Sequence, residues 1–331
     1  MKKLPDMLEE LSRTDDADEF RRLREVLEPE IAKGHDPVLL WRLGQIYRQR
    51  KIWQDAERLL HEAIKWGPSM PEPYRDLGLL YIHRDDVPWD ASLGRAKDIL
   101  EKAVRVEKIT NDRSAVTHTL LGRVLESLDE PDSAEAELRR ALEIDPHYEE
   151  AQYNLAMLLD DSRKEEKLRL LRQSIAEDPD YFIALRDLGF ELVKSKQLTE
   201  AEECLNKALG LDPSDVSLRW YLGQLKWMQG DLSSAELHFR KAVELDPGVG
   251  KSHELLGRLY QHTDRVEEAN REFFSAIELN PSDEDSFSAY IKFLGEFEDR
   301  DFAATLYSAA KQNTLLSQER LAELESRLLA R

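Results

Sequence analysis

A Leu-Gly pair returns along this chain at a spacing of 34 residues, most clearly at Leu43-Gly44, Leu77-Gly78, Leu188-Gly189, Leu222-Gly223 and Leu256-Gly257. Behind it, at fixed offsets, stand two alanines seven residues apart: Ala56 and Ala63, Ala201 and Ala208, Ala235 and Ala242, Ala269 and Ala276. Units close on Asp145-Pro146, Asp178-Pro179, Asp212-Pro213, Asp246-Pro247 and Asn280-Pro281. A chain written this way packs unit against unit rather than around one central core. Within a unit the apolar residues fall three and four apart on both sides of a short turn, which predicts helix, turn, helix. The small residues have a steric reason, since Gly44 and Ala63 fall where two helices cross and a larger side chain would part the axes. Proline stops the second helix and is tolerated where the next begins.

This period with these small residues resembles the tetratricopeptide repeat. The resemblance implies an all-α fold, a right-handed α-solenoid (superhelix) of about eight helix-turn-helix units with a capping helix at each end. The units fall at 37–70, 71–114, 115–148, 149–181, 182–215, 216–249, 250–283 and a degenerate 284–316. Residues 1–36 are expected to form N-terminal capping helices, partly disordered at the start, with Phe20, Leu23, Leu27 and Ile31 as an apolar stripe. Residues 317–331 are expected to form the C-terminal capping helix, with Leu321, Leu324 and Leu328 as its stripe.

Composition narrows the function classes. Charged residues make up 34% and the net charge is −20, which repels phosphate backbones, and no basic stripe offsets it. We expect no nucleic-acid binding. No window approaches the roughly 20 apolar residues that cross a bilayer, and the N-terminus carries no secretory pattern; the expectation is a protein of the cytoplasm that inserts in no membrane. Cys204 is the only cysteine and reads as a space-filling residue of a second helix. The eight histidines are scattered, no Cys/His cluster has metal-ligand spacing, and no glycine loop would cradle phosphate. Catalytic, cofactor and metal sites are therefore expected to be absent, and His118 and His253, each fourth in its unit, read as structural.

Departures from the period are informative. The unit at 71 is ten residues long in excess, six of them within 83–94 around Trp89, which predicts a loop on one face. The unit at 149 has Ala156 in place of glycine and lacks one residue near 160–164.

In tetratricopeptide arrays the second, fifth, ninth and twelfth residues of each unit line the inner face. Between 149 and 249 seven of those twelve are apolar or aromatic, against five of the other twenty, so the groove is expected to be most apolar there. The candidate partner-binding residues are Tyr153, Met157, Ile183, Arg186, Phe190, Val193, Trp220, Gln224 and Trp227, with Arg123 and Arg258 beside them. Trp41, Arg75 and Trp89 are secondary candidates, and Trp53 and Trp66 read as core. The Lys and Asn pattern by which some members of the family clamp chaperone tails is matched only at Asn154. The expectation is a non-catalytic scaffold or adaptor that grips a helix or peptide of a partner protein. Two alternatives are a regulatory subunit or sensor attached to an enzyme and the recognition part of a larger enzyme. Self-association through residues 1–35 is a further possibility.

Overall fold

The computed structural model describes residues 3–295 together with Tyr307, Ala322 and Ser326. All but Ala322 and Ser326 of the expected C-terminal cap lies outside the described residues. Contacts divide the chain into two compact units, Met1–Pro179 and Asp180–Arg331. The described residues contain seventeen α-helices and one short 3-10 helix joined by turns, and none of them forms a strand.

The first unit is a stack of helical hairpins. It opens with α1 (Leu4–Arg13) and α2 (Ala17–Gly34), whose Leu8, Leu11, Leu27 and Ile31 are buried in the core. Then come α3 (Pro37–Gln49) with α4 (Trp53–Trp66), α5 (Glu72–His83) with α6 (Trp89–Thr110), and α7 (Ala115–Ser127) with α8 (Pro131–Ile144). The unit ends on α9 (Glu149–Leu158), a 3-10 turn (Asp161–Arg163) and α10 (Lys164–Glu177). The second unit stacks α11 (Phe182–Lys194) with α12 (Leu198–Leu211), α13 (Val216–Met228) with α14 (Leu232–Leu245), α15 (Gly250–His262) with α16 (Val266–Leu279), and α17 (Glu284–Leu294). Each unit is thus an all-α solenoid, as the 34-residue period predicts.

The recurrent small residues have the expected use. The paired alanines of α4, α6, α8, α12, α14 and α16 are fully buried, and a bulky side chain of the second helix sits over each glycine: Leu60 on Gly44, Leu100 on Gly78, Leu138 on Gly122, Leu205 on Gly189, Phe239 on Gly223 and Phe273 on Gly257. A side chain buried in this way contributes about 1.5–3 kcal/mol. In α10 the alanine positions are taken by Lys167 and Ser174, and Ser174 Oγ donates to the Glu149 carbonyl at 3.0 Å.

The turns follow the register too. Lys51, Asp129, Lys196, Gly230 and Asp264 each hold the fifteenth place of a unit and adopt a left-handed φ between 57° and 82°. Only Gly230 does so without a Cβ penalty. The unit that lacks a residue loses this left-handed position and turns instead through Asp161–Arg163.

The long unit departs from expectation. Eight of its ten extra residues do not loop out but lengthen α6, which has 22 residues against 14 in α4, four of the eight preceding the Ala96/Ala103 register and four following it; the other two lie in the connection between the helices. This adds about one turn at each end. The connection Arg84–Pro88 is pinned down, with the Arg84 side chain 4% exposed between Glu57 (2.8 Å) and Asp86 (2.8 Å), and Trp53 Nε1 donating to Asp85 at 2.8 Å. Trp66 is also not core. It is 44% exposed at the end of α4, its ring stacked on His35 at 4.2 Å.

Candidate functional site

The inner-face candidates belong to both units, and each set is described within its own. In the second unit, α11, α13 and α15 are the first helices of three hairpins, and α11 and α13 carry the aromatic residues. Phe190 lies 4.7 Å from Tyr221, ring centroid to centroid, with Lys194 Nζ 5.4 Å from the Phe190 ring. Trp220 donates its indole N–H to Ser252 Oγ of the next first helix at 2.9 Å. Trp227 packs edge-on to Phe239 at 6.4 Å and lies 5.4 Å from His262. All four rings are half-buried: they rest on their neighbours and keep part of their surface open.

The charged groups of this face neutralise one another. Arg186 donates to Asp187 (2.9 Å) and to Asp215 (3.5 Å) and lies over the Phe182 ring at 5.8 Å. Burial pulls its pKa down, yet the two carboxylates outweigh burial and raise it. Tyr221 is pushed up by burial first and then by Asp187. Lys251 (2.8 Å) and Arg258 (2.7 Å) both pair with Glu254, which is fully buried. In contrast, the Gln224 amide and the Trp227 indole N–H make no hydrogen bond among the described residues. Ile183 is half-buried. Val193 differs from expectation: it is 3% exposed, because the end of α11 packs on both α12 and α13 and covers it.

In the first unit the inner residues are committed to neighbouring helices. Asp76, 6% exposed on α5, accepts from Trp41 Nε1 (2.6 Å), Arg48 Nε (3.1 Å) and Gln45 Nε2 (3.5 Å), all on α3. Arg75 reaches Glu107 at 3.0 Å, and Glu107 also accepts from Thr117. Arg123 is half-buried and faces His83, whose pKa is lowered by burial and then by Arg123 and Arg48. Tyr153 is half-buried, Met157 is 39% exposed, and Trp89 is 52% exposed at the start of α6.

Three features escape the sequence pattern. Asp76 is one: a three-donor acceptor at the sixth place of a unit, 35 residues after Trp41. The fourth residue of four units reaches back to the proline carbonyl that closes the preceding unit: Tyr74 to Pro68, Gln152 to Pro146, Arg219 to Pro213 and His253 to Pro247. The third is the pairing of His118 with Glu137 (2.6 Å) and of His253 with Glu272 (2.7 Å) across their own hairpins. The signal for the last was available, since both pairs are 19 residues apart.

Among the described residues no group of three His, Cys, Asp or Glu side chains could hold a metal ion, and no helix is long and apolar enough to cross a membrane.

Two family models of the tetratricopeptide repeat match the chain, one over residues 115–158 and the other over 186–250. The chain is 22% identical over 183 residues to the BBSome complex member BBS4 homolog of Drosophila melanogaster, covering 55% of this chain and 36% of that protein. It is 26% identical over 220 residues to the human protein O-mannosyl-transferase TMTC3, covering 61% of this chain and 22% of that protein. The chain thus spans little more than a third, or less, of the length of these curated relatives. A tetratricopeptide repeat protein of Parabacteroides merdae has the same fold, with a TM-score of 0.58 at 18% identity, over 80% of this chain and all of that one.

Proposed function

This chain is a tetratricopeptide-repeat protein, a protein-interaction scaffold by family, and we propose that the inner face of its second unit is where it grips its partner. The ligand is an uncharged or mixed segment of another protein, held on Phe190, Tyr221, Trp220 and Trp227. One observation carries the reading: on a face whose arginines and lysines pair internally, the groups left without partners are half-exposed aromatic surface, the Gln224 amide and the Trp227 N–H. Aromatic rings fixed in place lose little conformational entropy on binding, and truncating such an anchor costs about 2 kcal/mol or more. Each ring does two jobs, packing its own stack and presenting its open edge.

The scaffold reading is non-catalytic and places the protein in the cytoplasm. Ion pairs closed within the face make a strongly charged ligand a poor match, because it would have to displace Asp187, Asp215 or Glu254 from their own partners.

Tagged intact protein, used to capture partners from its native cells, tests this against two variants. Trp227→Ala together with Phe190→Ala should lose a partner by roughly tenfold or more in affinity; Gln224→Ala should weaken the same partner less. Circular dichroism of each variant separates loss of binding from loss of fold. Retention of every partner by a correctly folded double variant would remove the inner face from consideration.

A further inference from the structure

The fourth and twenty-third residues of a hairpin face each other across its two helices, and in two hairpins they form a histidine–carboxylate pair. His118 Nδ1 meets Glu137 Oε2 at 2.6 Å, and His253 Nδ1 meets Glu272 Oε2 at 2.7 Å. In the α13–α14 hairpin the same two places, again 19 residues apart, hold Arg219 and His238. That Arg219 occupies the equivalent position is independently marked by its bond to the Pro213 carbonyl, matching that of His253 to Pro247.

The result is a pair of bases where the sister hairpins have a base and an acid. Arg219 Nε and His238 Nδ1 are both buried, and neither has a hydrogen-bond partner among the described residues. Lys226 adds positive charge nearby, although its ammonium is held by Glu202 at 2.6 Å, and Asp231 is the acid that opposes the two bases on His238. A buried donor without an acceptor costs about 1–3 kcal/mol, so a site of this kind gains from any acceptor that enters it. Both side chains are partly exposed although these two atoms are not, so an incoming oxygen meets them only as the side chains turn outward.

We propose that Arg219 and His238 together receive an anionic oxygen, carboxylate or phosphate, which takes the part that the Glu137 and Glu272 carboxylates play for the histidines of the sister hairpins. The ligand is supplied from outside the hairpin because the hairpin has no carboxylate of its own at that position. This site lies between the two helices of one hairpin and does not depend on the inner-face reading above. A planar guanidinium presents paired donors to two oxygens of one anion, and the imidazole supplies a third contact.

The test uses the intact protein labelled with ¹⁵N, following the imidazole nitrogens while sodium acetate, sodium phosphate or the peptide acetyl-Asp-Glu-Asp-amide is added, with sodium chloride at equal ionic strength as reference. The expected result is a saturable shift of the His238 signals at about 1–10 mM acetate or phosphate, as a singly held anion requires, with His253 unmoved. Arg219→Gln should abolish the shift. In a second arm, acetate should raise the thermal midpoint of the natural protein but not that of His238→Glu, in which the carboxylate is already built in. Saturation by the peptide well below the acetate range assigns the source to an acidic partner segment, and saturation by phosphate at the lowest concentration assigns it to phosphate. Shifts no larger than those of chloride, or shifts that survive in Arg219→Gln, overturn the proposal.

Discussion

Gly223→Ala should damage this protein, and Gly44→Ala, the same change at the same place of another hairpin, should not. A Cβ built on Gly223 stands 2.4 Å from Phe239 Cε1, 2.6 Å from Cδ1 and 2.9 Å from Cζ. Carbon atoms pack at about 3.5–4.0 Å, so the ring has to withdraw by about 1 Å. It is fully buried, and overpacking of such a site costs about 1–3 kcal/mol. Alanine returns about 1 kcal/mol in helix propensity, leaving a net loss of up to about 2 kcal/mol. At Gly44 the nearest atoms are Leu60 Cγ at 3.0 Å and Cδ2 at 3.1 Å, the end of a flexible side chain, and the propensity gain should offset the contact. Urea unfolding followed by circular dichroism measures both. Because Trp227 packs edge-on to Phe239, the displaced ring also disturbs the inner face, so Gly223→Ala should weaken partner capture without touching a binding residue. In a Phe239→Leu background the alanine should cost less, since the α9–α10 hairpin already carries Ala156 with Leu171 at that register. Equal stability of Gly223→Ala and Gly44→Ala would refute the packing argument.

Two further predictions are independent of the glycine packing. Lys196→Gly should stabilise the α11–α12 turn by up to about 1 kcal/mol in urea unfolding, because Lys196 adopts φ 60°, where a Cβ is penalised. The two histidines of the second unit should respond to pH in opposite senses. His253, raised above its ordinary 6.5 because Glu272 outweighs burial, adds stability fully present below pH 6.5 and lost as pH rises through its folded value. His238, lowered by burial and then by Arg219 and Lys226, favours its neutral form in the fold more than in the unfolded chain; stability is full above pH 6.5 and falls as pH drops from there toward its folded value. Unfolding midpoints from pH 5 to 8 for His253→Gln and His238→Gln should therefore diverge from the natural protein in opposite directions at the acid end.

Much of this architecture is legible in the sequence because one constraint repeats. Gly and Ala at fixed intervals report helix crossings, and the structure places a bulky residue over each such glycine. The insertion around Trp89 was misleading for a definite reason: Asp85, Asp86 and Pro88 do lie in the connection, but proline is well tolerated just before a helix, and α6 begins directly behind it and takes in residues 89–94. Trp41 and Trp220 illustrate a second limit. Their places in the unit put them on the inner face, yet the acceptors of their N–H groups, Asp76 and Ser252, lie 35 and 32 residues on. Periodicity assigns a face; it does not say whether a ring there stands free or leans on the next helix. Val193 shows the same limit, covered where two elements meet at the end of α11.

Repetition raises a problem of its own, since similar hairpins could stack in the wrong order. A polar link recurs at the joints within each unit: a glutamate of one second helix accepts from the following hairpin, as in Glu57 with Tyr81 and Arg84, Glu135 with Arg163, Glu202 with Lys226, and Glu236 with Tyr260 and Arg265. At the joint between α6 and α8 the polarity is reversed, with Lys97 in the glutamate's place and Glu130 opposite it at 2.6 Å. A hairpin docked out of order there would meet a like charge, so the reversal specifies sequence order where hydrophobic burial does not. Both side chains are partly exposed, 29% and 39%, which limits the pair to about 0.5–1 kcal/mol. Lys97→Glu and Glu130→Lys should each destabilise by about that much or slightly more, because each creates a repulsion as well as losing an attraction. Together they should recover the loss while giving this joint the polarity of the other four. A double-mutant cycle in urea reads the coupling, and refolding yield reads the ordering: the double variant should be as stable as the natural protein but refold with more misassembled product. Additive losses in the cycle would mean that the two charges do not act on each other, and the link would then have no part in ordering the stack.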